Sequence, residues 1–419
     1  MQHIQQLFLE ALKAALKNEQ VEWNNKIEDQ EWMDLFRMAE VHQILPMIYE
    51  AVYRCPAAQM ADPQILAPAK MQMVRAVIMQ TQKTGEFEPL YRYLQSEGIC
   101  PLVVKGIICR NIYPNPDYRI SGDEDLLIRP EDFKRCHERL LSYGMQTSEC
   151  DMSEEELERI YEVPYGKKGS LIYIELHKSL FPPESDAYGD LNRFFENVYT
   201  DAIEIKIDNT DIRTMGYTDH LFYLICHAFK HFLHSGFGIR QVCDIILFAN
   251  AYGDAIDWEK VLEQCREIQA DLFAAALFGI GEKYLTFDPE RAHYTESWRE
   301  IQVDETDMLM DLLDSGIYGN ANMSRKHSSN MTLDAVAADK SGKKAGNTVL
   351  KSLFPSAKKL ESRYPYLRKY PVLLPIAWAD RILKYRKETA AGGDNAAADS
   401  VKIGNQRIEL MKKYGIIKN

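Results

Sequence analysis

The segment Arg119-Ile-Ser-Gly-Asp-Glu-Asp-Leu-Leu-Ile128 dominates our interpretation of this chain. Its two aspartates, Asp123 and Asp125, lie two positions apart and lead directly into an apolar run. Because successive side chains of a strand point to opposite faces of a sheet, this spacing places both carboxylates on one face at the start of a strand. A carboxylate pair on such a rigid edge is suited to holding Mg²⁺ or Mn²⁺ against the phosphates of a nucleotide.

Upstream of this segment, a second apolar run ends in a Lys-Gly pair. The run Cys100–Val104 is short and rich in valine, which predicts a buried strand, and Ile107–Tyr113 predicts a short helix that prolines end. Gly106 therefore lies between a strand and the start of a helix, where free backbone N–H groups can bind phosphate. Lys105 would add its ammonium group to the same phosphates.

Downstream of the aspartate pair, the pattern predicts a helix over Arg129–Tyr143 and a third strand over Ser170–Leu176. That strand carries Glu175, our candidate for a third metal-binding carboxylate beside the two aspartates. Two further apolar runs within 202–215 flank a turn-forming triplet and predict a hairpin. These elements together predict a mixed α/β unit spanning 96–216.

Helical periodicity flanks this unit on both sides, so we predict an α+β fold in which a mixed-sheet core is flanked by N- and C-terminal helical segments. The residues after 314 are rich in Gly, Ser, Asn and Lys and show little periodicity, which is typical of a linker. We divide the chain into an N-terminal helical region (1–95), the core (96–216), a helical region (217–314), a flexible loop or linker (315–350) and a basic C-terminal helical segment (351–419).

The charge of the chain is unevenly distributed. Its 50 Lys and Arg against 62 Asp and Glu give a net charge of −12, which argues against a protein that coats nucleic acid with its whole surface. Residues 341–419 alone hold 17 basic and 6 acidic residues, a net charge of +11, so the remainder carries −23. The basic segment admits RNA as a partner, although a solvated basic surface explains it equally well.

The cysteines and the chain's apolar runs indicate a cytoplasmic protein. None of the 8 cysteines forms a C-x-x-C pair, so we expect reduced thiols. The first residues lack the basic and apolar parts of a signal peptide, and no apolar run approaches the roughly 18 residues that cross a bilayer. We therefore expect no membrane association.

A group of histidines follows helical spacing after the core. The segments around Lys105 and Asp125 suggest phosphoryl or nucleotidyl transfer, and we place His227 and His231, four residues apart, in a pocket for the acceptor together with His177. His177 could instead orient Glu175, two residues before it, or be a surface residue. Metal binding by the two helical histidines is the less favoured interpretation, because no glutamate follows His227 in the manner of a metalloprotease. Arg240 and Asp244 are also four apart and predict an ion pair along a helix.

Four motifs occur in order along residues 100–180: Lys105-Gly106, Tyr113-Pro114, Arg119-x-Ser121-Gly122-Asp123-x-Asp125, and Tyr143-Gly144. This series resembles the uncharacterised nucleotidyltransferases of the polymerase-β-like superfamily. It is also similar to the nucleotidyltransferase toxins of the abortive-infection type. The chain departs from the superfamily pattern at Lys105-Gly106, where Gly-Ser is usual, and at Glu175, where aspartate is usual.

The resemblance implies roles for individual residues. Asp123 and Asp125 would bind metal, and Glu175 is our candidate for the third metal ligand. Nucleotide or phosphate contacts would come from Lys105, Gly106, Arg119, Ser121 and Gly122. For Arg119 a structural role is equally open, in which it pairs with an acid and braces the turn before the aspartates.

These observations predict a Mg²⁺-dependent nucleotidyltransferase that moves NMP from an NTP to an acceptor hydroxyl. The acceptor class stays open between a small molecule, a protein side chain and a tRNA end. The alternative is a catalytically weak or inactive nucleotide-binding module of the same fold that acts through a protein partner. A purely helical scaffold conflicts with the strand patterns.

Overall fold

The computed structural model shows an α+β fold, which confirms the predicted fold class: helices surround a small mixed sheet. It describes residues 1–148, 160–182, 185–316, 323–342, 356–360, 364–392 and 396–418.

The first half of the described chain contains the N-terminal helices and the sheet. Its helices are α1 (His3–Leu16), α2 (Asp29–Val41), α3 (Leu45–Val52), α4 (Pro56–Gln59), α5 (Pro63–Ser96), α6 (Gly106–Arg110) and α7 (Phe133–Ser142). Its strands are β1 (Leu102–Val104), β2 (Glu124–Leu127), β3 (Glu162–Gly166), β4 (Tyr173–His177), β5 (Ile203–Ile207) and β6 (Thr210–Thr214).

The second half of the described chain is helical. Its helices are α8 (Tyr217–His234), α9 (Ile239–Tyr252), α10 (Trp258–Glu267), α11 (Asp271–Tyr284), α12 (Glu296–Arg299), α13 (Thr306–Ser315), α14 (Met323–Lys340), α15 (Ala357–Leu360), α16 (Tyr366–Lys369), α17 (Leu374–Gly392) and α18 (Ala396–Lys413).

The four-stranded sheet brings the predicted acids onto neighbouring strands. Its order is β1-β2-β4-β3, with β2 and β4 parallel and the two outer strands antiparallel to their neighbours. The register pairs Asp125 with Glu175 and Leu127 with His177. The predicted hairpin is confirmed as β5 and β6, which pair antiparallel as a separate two-stranded sheet.

One strand of the sheet was absent from our prediction. β3 contains Pro164, which lacks the N–H of a sheet ladder and so argues against a strand in the sequence. Proline is tolerated here because β3 is the last strand of the sheet order, so that in the described residues only β4 pairs with it along its length. The predicted third strand starts later than expected, at Tyr173, and extends to His177.

Part of the predicted linker 315–350 is a helix, so the prediction is wrong for Met323–Lys340. Helix α14 packs against α8 and α18 through buried Met331, Ala335 and Val336. Polar residues of this helix are buried together with the apolar ones. Thr332, for example, donates a hydrogen bond to the carbonyl of Leu233 (2.7 Å). This mixture of buried polar and apolar residues hides the helical periodicity in the sequence. The parts of the predicted linker at 317–322 and 343–350 lie outside the described residues.

The C-terminal helix α18 belongs to the main core rather than forming a free basic tail. Met411 and Tyr414 are buried in that core, and Lys413 pairs with Asp304 and Asp307 at 2.8 and 2.5 Å. Some of the positive charge that admitted an RNA partner is therefore neutralised by the protein itself. The segments around α16 and α17 form a second small apolar cluster, made of Leu360, Tyr364, Leu367 and Ala377.

The seven cysteines in the described part of the chain are all free thiols, and only Cys100 among them is exposed. Cys150 lies outside the described residues. Among the described helices, none combines the length and the apolar character that a bilayer crossing requires.

Candidate active site

Three predicted site residues meet where the parallel strands β2 and β4 lie side by side. Asp125 and Glu175 are register partners on these strands. His177 Nε2 lies 3.1 Å from Asp125 Oδ1 and 3.7 Å from Glu175 Oε2. One donor atom from each of the three residues falls within 4.8 Å of the others. His177, for which we left open a role in the acceptor pocket or in orienting Glu175, therefore lies among the carboxylates.

Lys105 places a positive charge against this acidic group. Its Nζ lies 2.9 Å from Asp125 Oδ2 and 3.2 Å from His227 Nε2. Burial alone would raise the pKa of Asp125, but Lys105 and His177 outweigh it and hold that pKa well below its usual value. Asp125 is thus a buried anion with a cationic partner at each oxygen, and the ammonium group of Lys105 is already engaged.

His177 is the second cation of this arrangement. Burial would lower the pKa of its imidazole, but the contacts with Asp125 and Glu175 raise it to about 9. Its Nδ1 also lies 3.5 Å from a carboxylate oxygen of Glu162, on the edge strand β3. The imidazole therefore links carboxylates from three adjacent strands.

The backbone of Lys105 is held in an uncommon conformation by a buried histidine. Its φ and ψ are 54° and −117°, a region that costs energy for a residue with a side chain. The Lys105 N–H donates to His220 Nε2 at 3.3 Å, and burial lowers the pKa of His220 to about 3, so this imidazole is neutral. His220 Nδ1 then carries the proton and donates to Thr214 Oγ1 (3.4 Å), which in turn donates to the carbonyl of Val103 (2.6 Å).

Glycine is needed at position 106 because a carboxylate lies against its backbone, and not because phosphate needs open space there. Glu124 accepts a hydrogen bond from the N–H of Ile107 (2.8 Å) and pairs with buried Arg110 at 2.5 Å. A Cβ atom on Gly106 would collide with that carboxylate, and the φ of Gly106 is positive, at +31°. The helix N–H that we expected at the phosphates is therefore already bonded within the protein.

Ser121 has its hydroxyl group occupied by the scaffold. Arg110 donates to Ser121 Oγ at 2.7 Å, and Gln80 Oε1 accepts from the Ser121 N–H at 2.9 Å. Lys83 Nζ donates to the carbonyls of Ser121 and Gly122, at 2.8 and 3.1 Å. Ser121 therefore fixes the shape of the turn, whereas Gly122 is exposed and a Cβ added to it would meet nothing within 4 Å.

Arg119 has the structural role that we left open. Its Nε and Nη2 donate to the two carboxylate oxygens of Asp244 at 2.6 and 2.7 Å, and the Tyr113 hydroxyl donates to Asp244 at 2.7 Å. The predicted ion pair between Arg240 and Asp244 is wrong, because Arg119 occupies both oxygens of the acid. Arg240 instead donates to Gln43 (2.8 Å) and to a backbone carbonyl.

Asp123 differs from its neighbour Asp125 because no hydrogen bond to its carboxylate occurs in the part of the chain that the structure describes. Burial, together with the nearby charges of Asp125, Glu175 and Glu124, raises the pKa of Asp123 to about 6. The positive charge of Lys105 acts in the opposite direction. Asp123 is thus an acid held among like charges, an arrangement that favours an added cation.

A cleft of about 470 Å³, counting its opening to solvent, joins most of these groups. Seven of its lining residues were predicted for the site: Lys105, Gly106, Arg119, Ser121, Asp123, Asp125 and His227. The others come from helices α8 and α9: Leu224, Arg240, Gln241 and Asp244.

His227 and His231 lie together on α8, as the helical spacing predicted. Their Nε2 atoms are 3.3 Å apart. Burial, with the neighbouring positive charges, lowers the pKa of His231 to about 3 and that of His227 well below its usual value. Both imidazoles are neutral at pH 7, so they contribute hydrogen bonds to the cleft rather than positive charge.

The donor set of the site fits a divalent cation. Carboxylate oxygens are ligands that both Mg²⁺ and Mn²⁺ accept. Burial raises the pKa of Asp123, and the neighbouring charges of Asp125 and Glu175 raise it further. A cation bound between these carboxylates would remove that repulsion.

Three residues that hold the site in place were not identified from the sequence: Glu124, Arg110 and Lys83. Glu124 points to the face of β2 opposite the aspartates and there pairs with Arg110, a pairing that strand alternation permits but does not identify. Lys83 reaches the turn from the long helix α5, where it reads as an ordinary exposed helix residue. No local pattern connects these side chains, because they lie up to 41 positions apart.

Comparison with known proteins gives one match. A family model described as uncharacterised nucleotidyltransferase matches residues 28–285, a range that includes every residue of the cleft. No curated protein and no solved structure matches the chain.

Proposed function

Because the chain belongs to this family of nucleotidyltransferases, transferases of phosphorus-containing groups, we propose that its cleft moves NMP from an NTP to an acceptor hydroxyl with the aid of Mg²⁺ or Mn²⁺. The adjacency of Asp125 and Glu175 on parallel strands, with Asp123 two residues before Asp125, carries the proposal. Carboxylates on adjacent strands, as Asp125 and Glu175 are, stand on a rigid element, which suits a metal that must align the reacting phosphate.

The proposed reaction is a single displacement at phosphorus. The acceptor oxygen forms a bond to the α-phosphorus, and the bond from that phosphorus to the bridging α,β-oxygen breaks. The electron pair leaves with pyrophosphate, and the hydroxyl proton passes to solvent or to a base. Asp123, Asp125 and Glu175 would hold the metal, which when bound neutralises the phosphates and polarises the α-phosphoryl group.

The protein's own residues would orient these carboxylates. Lys105 and His177 fix the two oxygens of Asp125, and Arg119 with Asp244 braces the turn that presents Asp123. Preorganisation of this kind contributes to catalysis because the charged groups need not rearrange during the reaction. Gly122 is the predicted phosphate-contacting residue whose backbone stays accessible, so we retain it as a contact of the nucleotide.

The acceptor would enter beside α8. His227 lines the cleft and contacts His231, four residues after it, and both are neutral hydrogen-bonding groups, which suits the recognition of a hydroxyl. A small molecule, a protein side chain and a tRNA end can all present a hydroxyl group to this pocket.

The test measures whether label is transferred from each of the four NTPs in the presence of Mg²⁺ or Mn²⁺. Separate reactions use NTP labelled at the α-phosphate and NTP labelled at the γ-phosphate. Purified protein is incubated alone and with cell extract, which is then separated into protein, RNA and small-molecule fractions. The proposal requires α-label, and not γ-label, to appear in one fraction. Binding of NTP without any transfer of label would instead establish the nucleotide-binding module.

A further inference from the structure

A lysine that our sequence prediction did not use lies beside the acidic group of the cleft. Lys230 is on α8, three residues after His227 and directly before His231, so all three share the side of the helix that faces the site. Its side chain is half-buried, and its Nζ lies 6.0 Å from the centre of the Phe181 ring.

The ammonium group of Lys230 lies within electrostatic range of three carboxylates without pairing to one in the described residues. Burial lowers its pKa, and the charges of Glu162, Glu175 and Asp125 act against that lowering. In the described ranges of the chain, Lys230 forms no ion pair and its ammonium group no hydrogen bond. A half-buried ammonium without a partner has lost hydration that an anionic ligand would restore.

The other cations around the cleft are already engaged. Lys105 is bound to Asp125 at 2.9 Å, Arg119 is bound to Asp244, and Lys83 donates to two backbone carbonyls. Arg240 donates through Nη1 to Gln43 and to a backbone carbonyl, and its Nε, which has no partner in the described residues, is buried away from the surface. An NTP nevertheless needs positive charge at its β- and γ-phosphates, because these carry the charge that develops on the leaving pyrophosphate.

The geometry points to Lys230 as the residue that binds the β- and γ-phosphates of the NTP, an inference that rests on the proposed function. Lys230 reaches the site from α8, whereas Asp125 and Glu175 reach it from the sheet and Asp123 from the turn before β2. A triphosphate bound between α8 and the sheet would contact the carboxylates through a metal ion and would contact Lys230 directly. The ammonium group previously assigned to this task, that of Lys105, instead orients Asp125.

The test separates the phosphate tail from the rest of the nucleotide. Calorimetry with Mg²⁺ first identifies which of ATP, GTP, CTP and UTP the wild type binds most tightly. The affinities of that NTP, its NMP and pyrophosphate are then measured for Lys230→Met, which keeps the length of the side chain, and for Lys230→Arg, which keeps the charge. Lys70→Met, an exposed lysine on α5, is the control.

Lys230→Met should weaken binding of NTP and pyrophosphate about 10- to 100-fold, because a charged hydrogen bond is lost, and leave NMP affinity unchanged. Lys230→Arg should stay within about 3-fold of wild type, because guanidinium also binds phosphate. If Lys230→Met lowers thermal stability so far that it cannot be titrated, Lys230→Gln replaces it.

Wild-type affinity for NTP in Lys230→Met, or an equal loss for NTP and NMP, would overturn the assignment and leave the proposed function standing. A wild type that binds no NTP would overturn both, so the two failures are distinguishable.

Discussion

Lys105 Nζ and Asp125 Oδ2 form an ion pair of 2.9 Å in the buried part of the cleft. The two residues come from adjacent antiparallel strands, since β1 ends at Val104, the register partner of Asp125. The pair explains why the Lys-Gly motif precedes the aspartates in the chain: its lysine supplies the charge that keeps Asp125 ionised in a buried position. It also means that Asp125 has a structural as well as a chemical role.

Gly106→Ala should destabilise the protein by about 2–4 kcal/mol, because the added Cβ displaces the Glu124 carboxylate from Arg110 and from the N–H of Ile107. The matched control is Gly122→Ala, where the added atom meets nothing within 4 Å. Urea denaturation followed by circular dichroism measures both. Equal unfolding free energies for the two variants would contradict the close approach of Glu124 to Gly106.

Removing one member of the Arg119–Asp244 pair should cost about 3–5 kcal/mol, because the other charge is left buried without a partner. The double variant Arg119→Met with Asp244→Leu should cost less than the sum of the two single changes. A double-mutant cycle in urea gives the coupling energy. Strict additivity would show that the two residues do not brace each other.

The contacts of the site differ in how far the sequence can predict them. Local patterns place Asp125 and Glu175 on two strands and make Glu175 a candidate neighbour, whereas the parallel register that pairs them is set by the tertiary structure. The partner of Arg119 could not be predicted, since Asp244 is far along the chain and the nearer Arg240 offered a plausible helical pair. The positive φ of Lys105 was equally hidden, because it depends on His220 and on Thr214 rather than on any residue beside it.

The helix α14 and the strand β3 were missed for a different reason, which is that buried polar residues resemble exposed ones in sequence. Thr332 and Arg325 are buried because they satisfy carbonyls at the end of α8, and Pro164 is tolerated because its strand is at an edge. Tertiary contacts thus override the local composition in both elements.

Arg407→Met should destabilise the protein by about 2–4 kcal/mol, because the buried guanidinium donates to the carbonyls of Phe232 and His234 at the end of α8. Lys412→Met on the same helix should stay within about 0.5 kcal/mol of wild type, since its ion pair with Glu409 is exposed. Thermal denaturation of the two variants compares them. A thermal midpoint for Arg407→Met equal to that of wild type would show that α18 does not stabilise α8.

Stability should fall as the pH drops from about 7 to about 5, because His42 is buried as a neutral group. Its Nδ1 accepts from the Ile239 N–H at 3.3 Å and its Nε2 donates to the Leu313 carbonyl at 3.2 Å, and burial lowers its pKa from 6.5 to about 4. The unfolded chain binds a proton at the ordinary pKa, so the stability is present above pH 6.5 and is lost as the pH falls toward 4.

The expected share of His42 in this loss is about 2 kcal/mol between pH 7 and pH 5. Urea denaturation at the two pH values should show a smaller difference for His42→Gln than for wild type. The exposed His3→Gln serves as the control. If His42→Gln keeps the full pH dependence, His42 is not the group that titrates.

Asp123→Asn tests the central claim most directly, because Asp123 is the site carboxylate without a structural bond in the described residues. Transfer of α-label from NTP is measured with Mg²⁺ for wild type, Asp123→Asn and the exposed control Asp29→Asn, each beside its thermal midpoint. We predict that transfer by Asp123→Asn falls at least about 100-fold. Its midpoint should be equal to or above that of wild type, because a charge among like charges is removed. Chelation of the metal should abolish transfer by the wild type. Wild-type transfer by Asp123→Asn, or transfer that persists after chelation, would contradict a metal-dependent nucleotidyl transfer at this site.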